Sequence, residues 1–128
     1  MSRYGKGARS ERELISLLSK YGYFVVRAAG SGTSFSSPDV LALKREKKYA
    51  IECKAWNKNR VALDIEKLKF LKEWEDNTGI KSIIAWKLPY EGWRFVHVND
   101  MERNEKSYSI TRKRIREIGK NIKSLEEI

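Results

Sequence analysis

The chain has 128 residues, 41% of them hydrophobic and 11% aromatic, so it can bury a core without disulfide or metal staples and is not a disordered segment. Its formal net charge of +10 points to a polyanion, and the absence of any apolar run near the roughly 20 residues of a spanning helix, or of a signal or lipidation motif, disfavours a membrane partner. A single cysteine, Cys53, and a single histidine, His97, exclude an internal disulfide, argue against a His/Cys zinc site and fit a reducing cytoplasm, so that any metal would be a hard cation held by oxygen.

Residues 1–8 carry two glycines and two cations, Arg3 and Lys6, and read as a mobile basic arm. From Ser10 the pattern becomes helical, with Leu14, Ile15, Leu17, Leu18 and Tyr21 on one stripe and Gly22 as the stop. Tyr23–Arg27 is a short strand, followed by the small-residue loop Gly30–Pro38. Val40–Leu43 and Lys48–Ile51 are two strands joined by the charged turn Lys44–Lys47, and 55–63 reads as loop. A second helix starts after Asp64, its expected N-cap, carries Ile65, Leu68, Leu71 and Trp74 at helical spacing, and ends at Gly79. Ser82–Trp86 and Trp93–Val98 are two further strands, and 111–126 reads as a C-terminal amphipathic helix through Ile115, Ile118, Ile122 and Leu125. The order α-β-β-β-α-β-β-α over one domain, 1–128, implies an α/β fold with a central mixed five-stranded sheet flanked by helices.

The second and third strands carry the chemistry. A turn symmetric about Arg45 and Glu46 pairs residues whose numbers sum to 91, which sets Asp39 directly opposite Glu52. Opposed side chains share a face with Cβ atoms roughly 4.5–5.5 Å apart, and Lys54, two residues on from Glu52, shares that face. Two carboxylates this close repel unless a cation or proton lies between them. A hard divalent ion held there would polarise a phosphodiester and lower the pKa of an attacking water, with Lys54 as fixed positive charge. The competing reading makes Asp39 a strand cap and Glu52–Lys54 a simple cross-strand ion pair. A third carboxylate is sought on the first helix. There Glu11 lies about 60° from the centre of the apolar stripe and Glu13 about 100° on the other side, which favours Glu11. Both can equally be solvated charges near a helix N-terminus.

Pro38-Asp39 with Glu52-Cys53-Lys54 resembles the PD-(D/E)xK nuclease core, and the wider sequence resembles the archaeal-type Holliday junction resolving enzymes over nearly its whole length. Gly7–Leu14 is similar to that family's opening helix, Val25–Gly32 to the stretch with its active-site serine, and Gly92-Trp93-Arg94-Phe95 to a segment near its end. The resemblance implies a restriction-endonuclease-like core, catalytic residues Glu11, Ser31, Asp39, Glu52 and Lys54, and metal ligands Glu11, Asp39 and Glu52. It further implies Mg²⁺ as cofactor, with Mn²⁺ able to substitute, no small-molecule cofactor, and a homodimer that makes two symmetric cuts in four-way junction DNA during recombination and repair. On the residues alone, Gly30-Ser31-Gly32 is equally a flexible loop.

Between 44 and 60 seven basic residues face two acids. Arg3, Lys6, Arg9, Arg27, Lys58 and Arg60 are the candidate DNA contacts, suited to phosphates rather than bases. Trp56 stands where it could stack on a base or pack into a core or subunit contact. Two other readings remain open on the sequence: a nuclease of the same core acting on duplex or flapped DNA, and a non-catalytic basic DNA-binding protein.

Overall fold

The computed structural model describes residues 3–28 and 37–128, with residues 3–8 as backbone only. Helix α1 (Arg3–Lys20) leads into β1 (Phe24–Arg27), β2 (Val40–Lys44) and β3 (Lys47–Lys54), followed by β4 (Arg60–Asp64) and α2 (Ile65–Thr78). Strands β5 (Lys81–Leu88) and β6 (Gly92–His97), the short strands β7 (Glu102–Arg103) and β8 (Ser107–Thr111), helix α3 (Arg112–Ile118) and a 3₁₀ turn at Ile122–Glu127 complete the chain.

Five strands form one mixed sheet, as expected, and they lie in the order β1-β2-β3-β5-β6. The hairpin β2–β3 is antiparallel, and its pairs run from Val40↔Ile51 to Lys44↔Lys47, the register that sums to 91. Strand β5 runs parallel to β3, with Glu52 beside Ile84 and Lys54 beside Trp86. A parallel neighbour requires a crossover, and β4 and α2 supply it.

The sheet separates two cores. On one face α1 buries Leu14 and Leu18 against Val40, Tyr49, Ile51 and Phe95, with Leu125 of the C-terminal turn closing the cluster. On the other face α2 and α3 bury Leu68, Leu71 and Ile115 against Ile84, Trp86 and Val96. Gly22, at φ +91°, ends α1 in the left-handed region, and a Cβ there would stand 3.3 Å from the Lys44 side chain.

Three expectations are corrected, and a fourth, the N-cap of the second helix, holds in position. The first helix starts at Arg3 rather than Ser10, so residues 3–8, read as part of a mobile arm, carry helical backbone. Gly5 and Gly7 each cost about 1 kcal/mol relative to alanine, too little by themselves to stop a helix. The segment 55–63, read as loop, contains the start of β4, which pairs with β8 through Val61↔Ile110 and Leu63↔Tyr108 and belongs to a second sheet ordered β4-β8-β7. Asp64 does sit at the N-cap of α2, but its side chain makes no capping hydrogen bond.

The helix expected over 111–126 stops at Ile118. A Cβ at Gly119 would lie 2.4 Å from the Ile115 carbonyl oxygen, and the next residue, Lys120, exchanges two 2.8 Å backbone hydrogen bonds with Phe95. Asn121 then opens the 3₁₀ turn by accepting the Ser124 N–H at 3.1 Å.

Candidate active site

Asp39 precedes the first residue of β2 and Glu52 lies near the end of β3, so the hairpin register carries both acids to one end of the sheet. The Asp39 Oδ2 accepts the Cys53 backbone N–H at 2.8 Å, which fixes that carboxylate against β3. Glu52 is only 6% exposed, yet its Oε1 has no hydrogen-bond partner. Ammonium groups flank it: Lys67 Nζ is 3.5 Å from Oε1 and Lys54 Nζ 3.8 Å from Oε2.

Burial, and then the neighbouring Asp39 charge, push the Glu52 carboxyl up to about 7, with Lys67 and Lys54 pulling the other way. A carboxylate pair in this condition calls for a cation. The Cys53 thiol is likewise held protonated, first by burial and then by Asp39, Glu11 and Glu52, so three acids bear on this one position.

Glu11 approaches from α1, but its Oε1 is engaged by Arg27 Nε at 2.6 Å. Among the described residues no three acidic, histidine or cysteine side chains stand close enough together to hold one ion. The structure therefore brings Asp39, Glu52 and Lys54 together and leaves Glu11 turned to Arg27. Glu13 points elsewhere, in an ion pair with Lys87. Ser31 lies outside the described residues, as do the side chains of Arg3 and Lys6.

Arg9, Lys58 and Arg60 are exposed. Trp56 packs against the second core cluster, its carbonyl accepts Trp86 Nε1–H at 2.9 Å, and the ammonium groups of Lys54 and Lys58 stand 5.0 and 4.8 Å from its ring centroid. Its ring thus steadies Lys54, a cation–π role. Lys67 is the site residue that sequence reasoning missed. It stands thirteen positions beyond Lys54 on a different element, and its only sequence signal is a place beside the core position Leu68, in the first turn of α2.

The donor set suits a hard divalent ion. It offers carboxylate oxygens, one of them buried without a hydrogen bond, while the thiol is protonated and the lone imidazole, His97, is bound to Glu75 at 2.7 Å. None of the described helices is long and apolar enough to cross a membrane.

This mixed sheet, with paired acids and a lysine at the end of its central hairpin, defines a restriction-endonuclease-like nuclease core. A solved structure titled as Archaeoglobus fulgidus Hjc, a Holliday junction resolvase, superposes with a TM-score of 0.86 at 31% identity, over 94% of this chain and 99% of that one. The family model described as archaeal Holliday junction resolvase (hjc) matches residues 2–128, and the chain belongs to that family. Curated relatives include the crossover junction endodeoxyribonuclease Hjc of Archaeoglobus fulgidus, 37% identical over 82% of this chain and 78% of its own. That of Methanocaldococcus jannaschii is 32% identical over 84% and 77%.

Proposed function

We propose that this chain is a Mg²⁺-dependent endonuclease that resolves four-way DNA junctions as a homodimer in the cytoplasm, with Mn²⁺ able to replace Mg²⁺. The observation that carries the reading is the closeness of Asp39 and Glu52 at the end of the β2–β3 hairpin, with a buried carboxylate oxygen of Glu52 left without a hydrogen bond. Asp39 and Glu52 would hold the ion, joined by Glu11, whose carboxylate Arg27 orients. The ion supplies Lewis-acid activation of the phosphodiester and of the attacking water.

Lys54 is steadied by Trp56 and held near Glu52, so its charge is in place before the reaction starts. A fixed ammonium of this kind stabilises negative charge that develops on the phosphate. Ser31 contacts a phosphate oxygen in this reading. Arg3, Lys6, Arg9, Lys58 and Arg60 contact the backbone of the junction arms, a sequence-independent mode suited to selection by shape.

Two symmetric incisions in a two-fold junction call for two copies of the site. The surface of β1 supports such an assembly, with Phe24 82% and Val26 53% exposed on one face of an edge strand. Incubation of the chain with a synthetic four-way junction, with and without Mg²⁺, alongside a linear duplex of the same arms, tests the proposal. Paired cleavage of the junction only, and only with the ion, is the expected result. Equal cutting of the duplex would move the assignment to a general nuclease.

A further inference from the structure

We infer that Lys67 is a resident counter-cation of the catalytic centre, holding the Glu52 Oε1 position in the metal-free enzyme and exchanging it for the divalent ion. The inference rests on the metal site proposed above and adds a residue to it.

Lys67 lies in the first turn of α2, beside the buried Leu68, and its side chain is only 13% exposed. This is unusual for a lysine, which is seldom kept from water without a partner. Its ammonium stands 3.5 Å from Glu52 Oε1, close enough to balance charge, yet that oxygen has no hydrogen-bond partner. The oxygen is thus neutralised without being tied down. In the absence of an ion, Asp39 and Glu52 are matched in charge by Lys54 and Lys67, and Glu11 by Arg27. A divalent ion entering with both lysines in place would leave a twofold positive excess in a site screened from solvent.

One lysine therefore has to move, and the geometry distinguishes the two. Lys54 stands 5.0 Å from the centroid of Trp56, the strongest of the cation–π partners. Lys67 stands 5.6 Å from the centroid of Phe70, a weaker partner at longer range. The Lys67 position is the one that can yield.

The test measures Mn²⁺ binding to the full chain without DNA, by electron paramagnetic resonance of the free ion at one fixed pH. Lys67→Met and Lys67→Gln remove the competing charge and are expected to bind Mn²⁺ at least about tenfold more tightly than the parent, the scale on which neighbours of ligands tune metal affinity. Lys67→Arg keeps the charge and is expected to stay within about twofold of the parent. Thermal melts establish that each variant is folded, and the two neutral variants serve as replicates should one fail to fold. Unchanged or weaker binding in the folded neutral variants would overturn the inference. Asp39→Asn separates this failure from that of the site itself. If it abolishes Mn²⁺ binding while the Lys67 variants bind like the parent, only the role of Lys67 falls. If Asp39→Asn binds like the parent, the proposed metal site is wrong and the inference falls with it.

Discussion

The Asp39 carboxylate and the Cys53 backbone N–H are joined by a 2.8 Å hydrogen bond, so the acid that opens β2 is held by the strand that carries Glu52. One oxygen of Asp39 is spoken for by the fold, and the other is available to an ion. The bond also places the acid independently of any bound metal.

Asp39→Asn can keep a hydrogen bond to Cys53 while losing the charge. It is expected to lower junction cleavage by more than about a hundredfold, beyond the 10–100-fold typical of residues one step removed from a metal. Junction binding is expected to persist, because an anion near phosphate has been removed. Parallel gel-shift and cleavage assays in Mg²⁺ check both halves, and full cleavage by the variant would refute the ligand role.

Arg27 was a candidate DNA contact, yet its Nε is bound to Glu11 Oε1 at 2.6 Å. Arg27→Gln is therefore expected to leave the salt dependence of junction binding unchanged, where loss of a phosphate contact would reduce the slope by about one. Cleavage is expected to fall by about tenfold or more, because Glu11 loses the group that orients it. The half-exposed ion pair itself is worth less than about 1 kcal/mol of stability.

Tyr23 is buried with its hydroxyl unpaired, and burial, followed by the nearby Tyr49 and Glu126, raises its pKa from 10.0 to about 12. The unfolded chain thus ionises first. The stability from the neutral buried phenol is fully present below pH 10 and is lost as the pH rises through about 12. Tyr23→Phe is expected to flatten this alkaline decline and, by removing an unsatisfied hydroxyl, to add up to about 1 kcal/mol at neutral pH. Urea unfolding at pH 7, 9 and 11 tests both.

Phe24 and Val26 make the apolar face of β1. Phe24→Asp with Val26→Asp is expected to weaken self-association by about thirtyfold or more, the effect of losing a strong interface anchor. Light scattering should then report a monomer, and junction assays should show single nicks in place of paired cuts. A variant that stayed dimeric would place the interface elsewhere.

The five-stranded sheet and the hairpin register were legible because Val40–Leu43 and Lys48–Ile51 are short apolar runs about a charged turn, and a period of two leaves one register. The second sheet was not, since β7 has only two residues and β8, Ser107–Thr111, is a polar strand completed by pairing with β4 across more than forty residues. The break at Gly119 was hidden for a similar reason. Ile115, Ile118, Ile122 and Leu125 keep a helical rhythm, and the turn at Gly119 is completed by long-range pairing of Lys120 with Phe95. At the site, Asp39, Glu52 and Lys54 could be placed by counting along one hairpin. Lys67 could not, because its position depends on how α2 folds back over β3. Glu11 could be placed beside the apolar stripe of α1, but its pairing with Arg27 depends on the separation of two elements that helical angles do not encode.

The bridge between Lys120 and Phe95 has a wider consequence. Strand β6 is an outer strand of the main sheet, and both outward backbone groups of Phe95 are taken by Lys120. The tail is anchored further by Leu125, Tyr49 and Lys47, so the seal is part of the core. An unsealed border of this kind is a template for strand-by-strand addition of other chains, the route to aggregation. The C-terminal segment thus acts as a selvedge: it stops the sheet from growing at this border and leaves the opposite border, β1, as the edge on which copies can meet.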